Sequence, residues 1–174
     1  MSVRELIESA LLLAIGTVIY MIIPGYGAGM KPDIILAMLF IIIMLRPNLQ
    51  SALVAGLVAG LLAGLTTTFP GGFFPNVVDR LVTSIVVLGL VKALVGLKQP
   101  VVRDIVVSVI GTIVSGSVFL SAALLMVGLP APFSVLFITV VLPATALNTL
   151  VVIFLRPVVI YSRNAVYGSN STRI

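Results

Sequence analysis

Neither cysteine nor histidine occurs in the 174 residues. Their absence removes disulfides, thiol nucleophiles, haem attachment, the usual zinc ligands, and Cys–His or Ser–His–Asp catalysis. No enzyme activity, cofactor or metal is therefore expected. Charge is also scarce: 9% of residues are charged and 60% hydrophobic, a balance that excludes the soluble class and implies an integral membrane protein. No Gly-x-x-x-x-Gly-Lys-[Ser/Thr] phosphate loop is present, so the chain has no recognisable ATPase machinery of its own. The net charge of +5 comes with ten basic residues scattered at the ends of apolar runs, not clustered with aromatics, so no nucleic-acid partner is expected.

Apolar runs bounded by Pro, Gly or charge predict six helices, at about 5–23, 33–46, 50–68, 76–97, 104–128 and 134–156. The first run is long enough to span a bilayer and is read as a helix, not a cleavable signal. An even count puts both termini on one side. With that side cytoplasmic, Arg4, Arg46, Lys92, Lys98, Arg103, Arg156, Arg163 and Arg173 lie inside and Lys31 and Arg80 outside, 8 against 2 of the 10 basic residues. The excess of inner basic residues favours this orientation, which turns the loops 24–32, 69–75 and 129–133 outward. Residues 1–163 are expected to form one membrane domain of all-α class, and 164–174 a polar, loosely ordered cytoplasmic tail.

Three helices carry unusual signals. The second has an uninterrupted apolar run of only about 18 Å, Ile34 to Leu45, against a hydrocarbon core of about 30 Å. Either it borrows flanking residues and thins the bilayer, or the Gly-rich loop before it dips into the protein and brings Lys31 and Asp33 along. The third repeats Gly56, Gly60 and Gly64, and the first carries Ala10 and Ala14 followed by Gly16. Small residues one turn apart let helices approach closely, within the chain or against a partner. Helix five has Ser108, Gly111, Thr112, Ser115, Gly116 and Ser117, whose hydroxyls are expected to bond back to their own helix. In helix six, Pro143 should kink the axis, and Asn148 beyond it needs a hydrogen-bond partner at membrane depth, another helix or a ligand.

The residues richest in chemistry lie at 66–80, Thr-Thr-Thr-Phe-Pro-Gly-Gly-Phe-Phe-Pro-Asn-Val-Val-Asp-Arg. Asn76, Asp79, Arg80 and Thr83 follow at spacings of three and four and share one face of a helix. That face either holds a small polar or zwitterionic ligand or anchors the chain in headgroup water. Of the five acids, Glu5, Glu8 and Asp104 sit in first helical turns, where they complement the helix dipole. Asp33 and Asp79 remain on the outer side with Lys31 and Arg80. Two acids and two bases bracketed by Tyr26, Phe69, Phe73, Phe74 and Phe133 suit an aromatic amino acid: carboxylate on a base, ammonium on an acid, ring among the aromatics. The candidate ligand residues are Lys31, Asp33, Thr67, Phe69, Phe73, Asn76, Asp79, Arg80, Thr83, Phe133 and Asn148.

Several motifs in order, Gly-Met-Lys-Pro-Asp (29–33), Leu-Thr-Thr-Thr-Phe-Pro-Gly-Gly (65–72), Pro-Asn-x-x-Asp (75–79), Val-Gly-Leu-Pro-Ala-Pro-Phe (127–133) and Leu-Pro-Ala-Thr (142–145) followed by Asn148, carry a resemblance. Over about residues 5–160 the chain resembles the S components of energy-coupling factor (ECF) transporters, and among them the tryptophan-specific kind. The resemblance implies a six-helix bundle with an outward-facing cavity roofed by the loop between helices one and two. It implies docking onto an ECF transmembrane subunit and two cytoplasmic ATPases through small residues on helix one, here Ala10 and Ala14, with the subunit toppling in the membrane to carry its ligand across. The function expected on these grounds is tryptophan binding for an ATP-driven importer of the cell membrane. The alternatives are an S component for another small aromatic ligand or a vitamin, and a structural membrane subunit. A lipid-headgroup enzyme finds no clustered acidic metal motif in support.

Overall fold

Helix starts follow from local chemistry. Ser2 and Glu5 form a reciprocal capping box, the Ser2 Oγ accepting from the Glu5 N–H at 3.3 Å and the Glu5 carboxylate from the Ser2 N–H at 2.7 Å; this opens α1 (Val3–Ile22). The Asp33 and Asn48 side chains cap α2 (Ile34–Leu45) and α3 (Leu49–Thr66). Then come α4 (Phe73–Ala93) and α5 (Pro100–Met126). The short α6 (Phe133–Leu136) passes through a π turn at Phe137–Val141 into α7 (Leu142–Tyr167). The computed structural model describes residues 2–24, 31–97 and 99–168, except the Tyr167 side chain.

Five helical segments, the last running Phe133–Val166, are long and apolar enough to span a membrane, and α2 is a shorter apolar helix. The chain is thus an all-α, multi-pass membrane bundle of six segments, as the hydropathy predicts. Some ends differ from expectation. α4 and α5 begin three and four residues early, at Phe73 and Pro100, because Pro75 and Pro100 sit in first turns, where a missing N–H costs nothing. The sixth segment continues past 156 to Tyr167 with Pro157 inside it, so the helix extends into the segment read as a tail. Residues 169–174 lie outside the described residues, as do Lys98, Arg173 and the loop residues 25–30 with Tyr26.

α2 is the axis of the bundle. Each residue from Ile34 to Met44 is buried, and α1, α3, α4, α5 and α7 all pack on it. A helix sheathed by protein on every side need not match the hydrocarbon thickness, so its short length needs no thinned bilayer. The glycines of α3 set the closest approach: a Cβ on Gly56, Gly60 or Gly64 would lie 2.6 Å from Ser84 Oγ, 2.9 Å from Val77 Cα or 2.8 Å from Phe73 Cδ2. That stripe is an α3–α4 contact within the chain. Ala10 and Ala14 are exposed on α1.

At the end opposite the Asp33 cap, Arg46 closes α2. Its guanidinium donates to the Glu5 carbonyl at 2.9 Å and pairs with the Glu8 carboxylate, which also meets Arg163 Nε at 3.4 Å. Asp104 forms a buried ion pair with Arg156 at 2.8 Å. Contrary to expectation, Glu8 and Asp104 lie past the first turns of α1 and α5, and of the three acids only Glu5 sits in a first turn. Glu8 and Asp104 tie helices together instead of complementing a helix dipole.

Candidate functional site

Two turns into α4, Asp79 and Arg80 turn toward the bundle axis, and both are buried. Arg80 Nη1 donates to Asp79 Oδ2 and to Ser115 Oγ of α5, each at 2.7 Å, and Nη2 donates to Asp33 Oδ2 at the head of α2. Asp79 also accepts from Thr83 Oγ1 at 2.9 Å and from the Ser115 hydroxyl at 2.9 Å. Asp33 Oδ1 accepts the Leu36 N–H at 2.9 Å, while its own N–H donates to Asn148 Oδ1 of α7 at 2.7 Å. Asn148 Nδ2 reaches Thr112 Oγ1 of α5 at 3.4 Å. One polar network thus joins α2, α4, α5 and α7. Such networks are costly unless satisfied, and among the described residues the only buried donor of this group without a partner is Arg80 Nε.

Above this floor is a cavity of about 270 Å³, near the lower end of the roughly 300–1,000 Å³ typical of small-molecule sites. Lys31, Asp33, Asn76, Asp79, Arg80 and Asn148 supply its polar side. Phe69 and Phe119 meet edge to face with centroids 5.4 Å apart and form part of its wall. Leu136, Val140, Val141, Ala144 and Leu147 complete the apolar side from the sixth segment. The π turn in that wall has a local cause. Pro143 offers no N–H to the Thr139 carbonyl and its ring crowds that position, so the helix widens by one residue and the Leu142 N–H reaches back five residues to Phe137 O. Lys31 enters from the edge, donating to the Tyr20 carbonyl at 3.0 Å with its ammonium 3.7 Å from the centre of the Tyr20 ring.

Of the residues predicted from sequence, Lys31, Asp33, Thr67, Phe69, Asn76, Asp79, Arg80 and Asn148 come together around this cavity. Three do not line it. Thr83 lies beneath the floor as a partner of Asp79. Phe73 is held over Gly64 in the α3–α4 contact and against Phe74 at 5.2 Å. Phe133 stacks on Phe137 at 6.2 Å. Sequence reasoning missed Tyr20, Thr112, Ser115 and Phe119. Thr112, Ser115, Gly116 and Phe119 recur at spacings of three and four along α5 and so share a face, which was the available signal. The expectation that the hydroxyls of α5 bond to their own helix holds for Ser117, bound to Ile113 O, and fails for Ser115, which bonds across to α4.

Six helical segments around a charged floor and an aromatic wall define a multi-pass membrane protein with a cavity of small-molecule size. The chain belongs to the tryptophan transporter TrpP family, whose pattern matches residues 2–163. It is 46% identical over 151 residues to a probable tryptophan transport protein of Clostridium acetobutylicum, covering 87% of this chain and 88% of that protein. It is similarly 46% identical over 159 residues to one of Bacillus subtilis, covering 91% and 92%, and 43% identical over 152 residues to one of Clostridium perfringens, covering 82% and 84%. No solved structure matches the chain.

Proposed function

We propose that this chain is the membrane-embedded substrate-binding subunit for tryptophan uptake, taking the amino acid from the outer side into the cavity and delivering it through an ECF-type ATP-driven importer. The observation that carries this reading is the set of four charges at the cavity, Lys31, Asp33, Asp79 and Arg80. Buried ion pairs seldom add net stability over apolar packing, and ionisable groups within a membrane bundle mark ligand or ion pathways by default. The four sum to zero, so a zwitterion enters without leaving net charge in a low-dielectric site. A free amino acid is such a ligand, and its ring would lie between the Phe69–Phe119 pair and the aliphatic wall. The family membership and the named relatives support tryptophan as that amino acid.

The lack of a phosphate loop in the sequence and the exposed pair Ala10 and Ala14 on α1 support energy coupling through other subunits. The chain contains no tryptophan, which makes the binding test direct. Free L-tryptophan titrated with purified, detergent-solubilised protein should show a saturable blue shift as the indole leaves water. No saturable shift would refute the binding assignment and favour a structural subunit. Proteoliposomes holding this chain alone should bind tryptophan without accumulating it; uptake without an energising module would count against the importer-subunit role.

A further inference from the structure

The four charges at the cavity are not equivalent. Asp79 is 1% exposed and Arg80 3%, whereas the Asp33 side chain is 28% exposed and Lys31 is half-buried at the edge. We propose that they form two tiers: Lys31 takes the ligand carboxylate and Asp33 its ammonium, while the buried Asp79–Arg80 pair holds Asp33 in place without touching the ligand. This division rests on the reading of the cavity as an amino-acid site.

Counting donors and acceptors separates the tiers. An ammonium has three N–H donors, and Lys31 spends one on the Tyr20 carbonyl. It forms no ion pair among the described residues, so two donors remain for a carboxylate. Tyr20 fixes the amine in position through its carbonyl and its ring face, which makes Tyr20 a positioning residue for the carboxylate end. Three of the five N–H donors of Arg80 are already engaged by Asp79, Ser115 and Asp33, leaving one on Nη2 and the buried Nε–H. A ligand carboxylate at Nη1 would have to displace Asp79 or Ser115, and with Arg80 3% exposed and Nε buried the remaining donors offer it little open edge.

The acids divide in the same way. A carboxylate has about four acceptor sites. Asp79 receives Thr83, Ser115 and Arg80 and lies at the base of the cavity only 1% exposed. Asp33 receives Leu36 N–H and one Arg80 nitrogen, which leaves about two acceptor sites. Its backbone N–H is pinned by Asn148, so Asp33 is held from both sides and presents its remaining lone pairs.

The test uses three ligands that differ at one end: L-tryptophan, tryptamine without the carboxylate, and indole-3-propionate without the ammonium. Each is measured by competition on the full chain and on Lys31→Met, Asp33→Asn and Asp79→Asn, with thermal unfolding as the check of folding. In the parent, tryptophan should bind about 10–100-fold tighter than tryptamine, the worth of a partly buried charge pair. Lys31→Met should bring that ratio to within about threefold of one, because it weakens tryptophan and leaves tryptamine nearly unchanged. Asp33→Asn should weaken tryptophan and tryptamine together and leave indole-3-propionate no weaker. Asp79→Asn, acting through Asp33, should weaken both ammonium-bearing ligands while preserving the ratio between them. A parent-like tryptophan-to-tryptamine ratio in Lys31→Met would overturn the two-tier site while leaving tryptophan binding intact, and so would a collapse of that ratio in Asp79→Asn. Failure of the parent to bind any of the three would instead remove the function proposed above and this inference with it.

Discussion

Replacing Arg80 with alanine should cost more stability than replacing Asp79, although the two residues are partners at 2.7 Å. Arg80 is shared: its loss leaves Asp79 with only the Thr83 and Ser115 hydroxyls and Asp33 with its helix cap. Removing one partner of a buried ion pair costs about 3–5 kcal/mol, and here two carboxylates lose their counter-charge. Asp79→Ala leaves Arg80 paired with Asp33 and strands two hydroxyls, a cost nearer 1–3 kcal/mol. In the double variant no carboxylate remains in the deep position. Its cost should therefore fall below the sum of the single variants, with a coupling of about 0.5–3 kcal/mol. Unfolding of all four proteins in one detergent, followed by far-ultraviolet circular dichroism, supplies the cycle. Equal costs for the single variants, or strict additivity, would refute the shared-arginine arrangement.

Three further outcomes follow from packing. Gly60→Leu should destabilise the chain by about 1–3 kcal/mol and weaken tryptophan binding, because its Cβ meets the Val77 backbone at 2.9 Å and forces away the helix that carries Asp79 and Arg80; Gly89→Leu, with nothing within 4 Å, should be near neutral in both assays. Phe119→Ala should weaken tryptophan binding about five- to tenfold, about 1 kcal/mol, by removing half of the aromatic pair in the wall, and equal affinity in parent and variant would place the indole elsewhere. Under the proposed function, Ala14→Leu, on the exposed face of α1, should leave binding to the isolated chain unchanged while weakening co-purification with the proposed energising subunits and tryptophan uptake. A loss of binding without a selective assembly defect would mean that Ala14 serves the fold.

The helices were legible because a bilayer imposes its length on apolar runs, and the charged floor because charge is rare enough in this chain for each instance to stand out. Asp33, Asp79 and Arg80 could be associated from their shared outer position alone. What the sequence did not disclose was direction. Phe73 and Phe69 stand four apart in the same turn-rich stretch, yet one fills the space over Gly64 and the other faces the cavity. The difference is set by how closely three glycines let α3 meet α4, a tertiary fact. Serine is equally ambiguous: Ser117 bonds to its own helix, and Ser115, two residues earlier, points at Asp79 because the sides of α5 face different neighbours.

The central position of α2 connects its two anomalies, its shortness and the charge at its head. A helix buried on all sides cannot send its first N–H groups to water, so a side-chain acceptor must cap it from within the protein, and here that acceptor is the Asp33 carboxylate. That carboxylate then needs a cation at the same depth, which Arg80 supplies, and Arg80 carries more donors than one acid can accept, which recruits Asp79 and Ser115. At the other end Arg46 closes the same helix against Glu5 and Glu8. The charged floor of the cavity is in this sense the N-terminal cap of the bundle's axis. Under the proposed function, a ligand ammonium at Asp33 would meet the residue that fixes the position of α2, so occupancy and the placement of the central helix would share one side chain. Asp33→Ala, which removes the cap and the charge together, should accordingly lower the stability of the ligand-free chain as well as tryptophan affinity; loss of affinity with unchanged unfolding would separate the cap from the site.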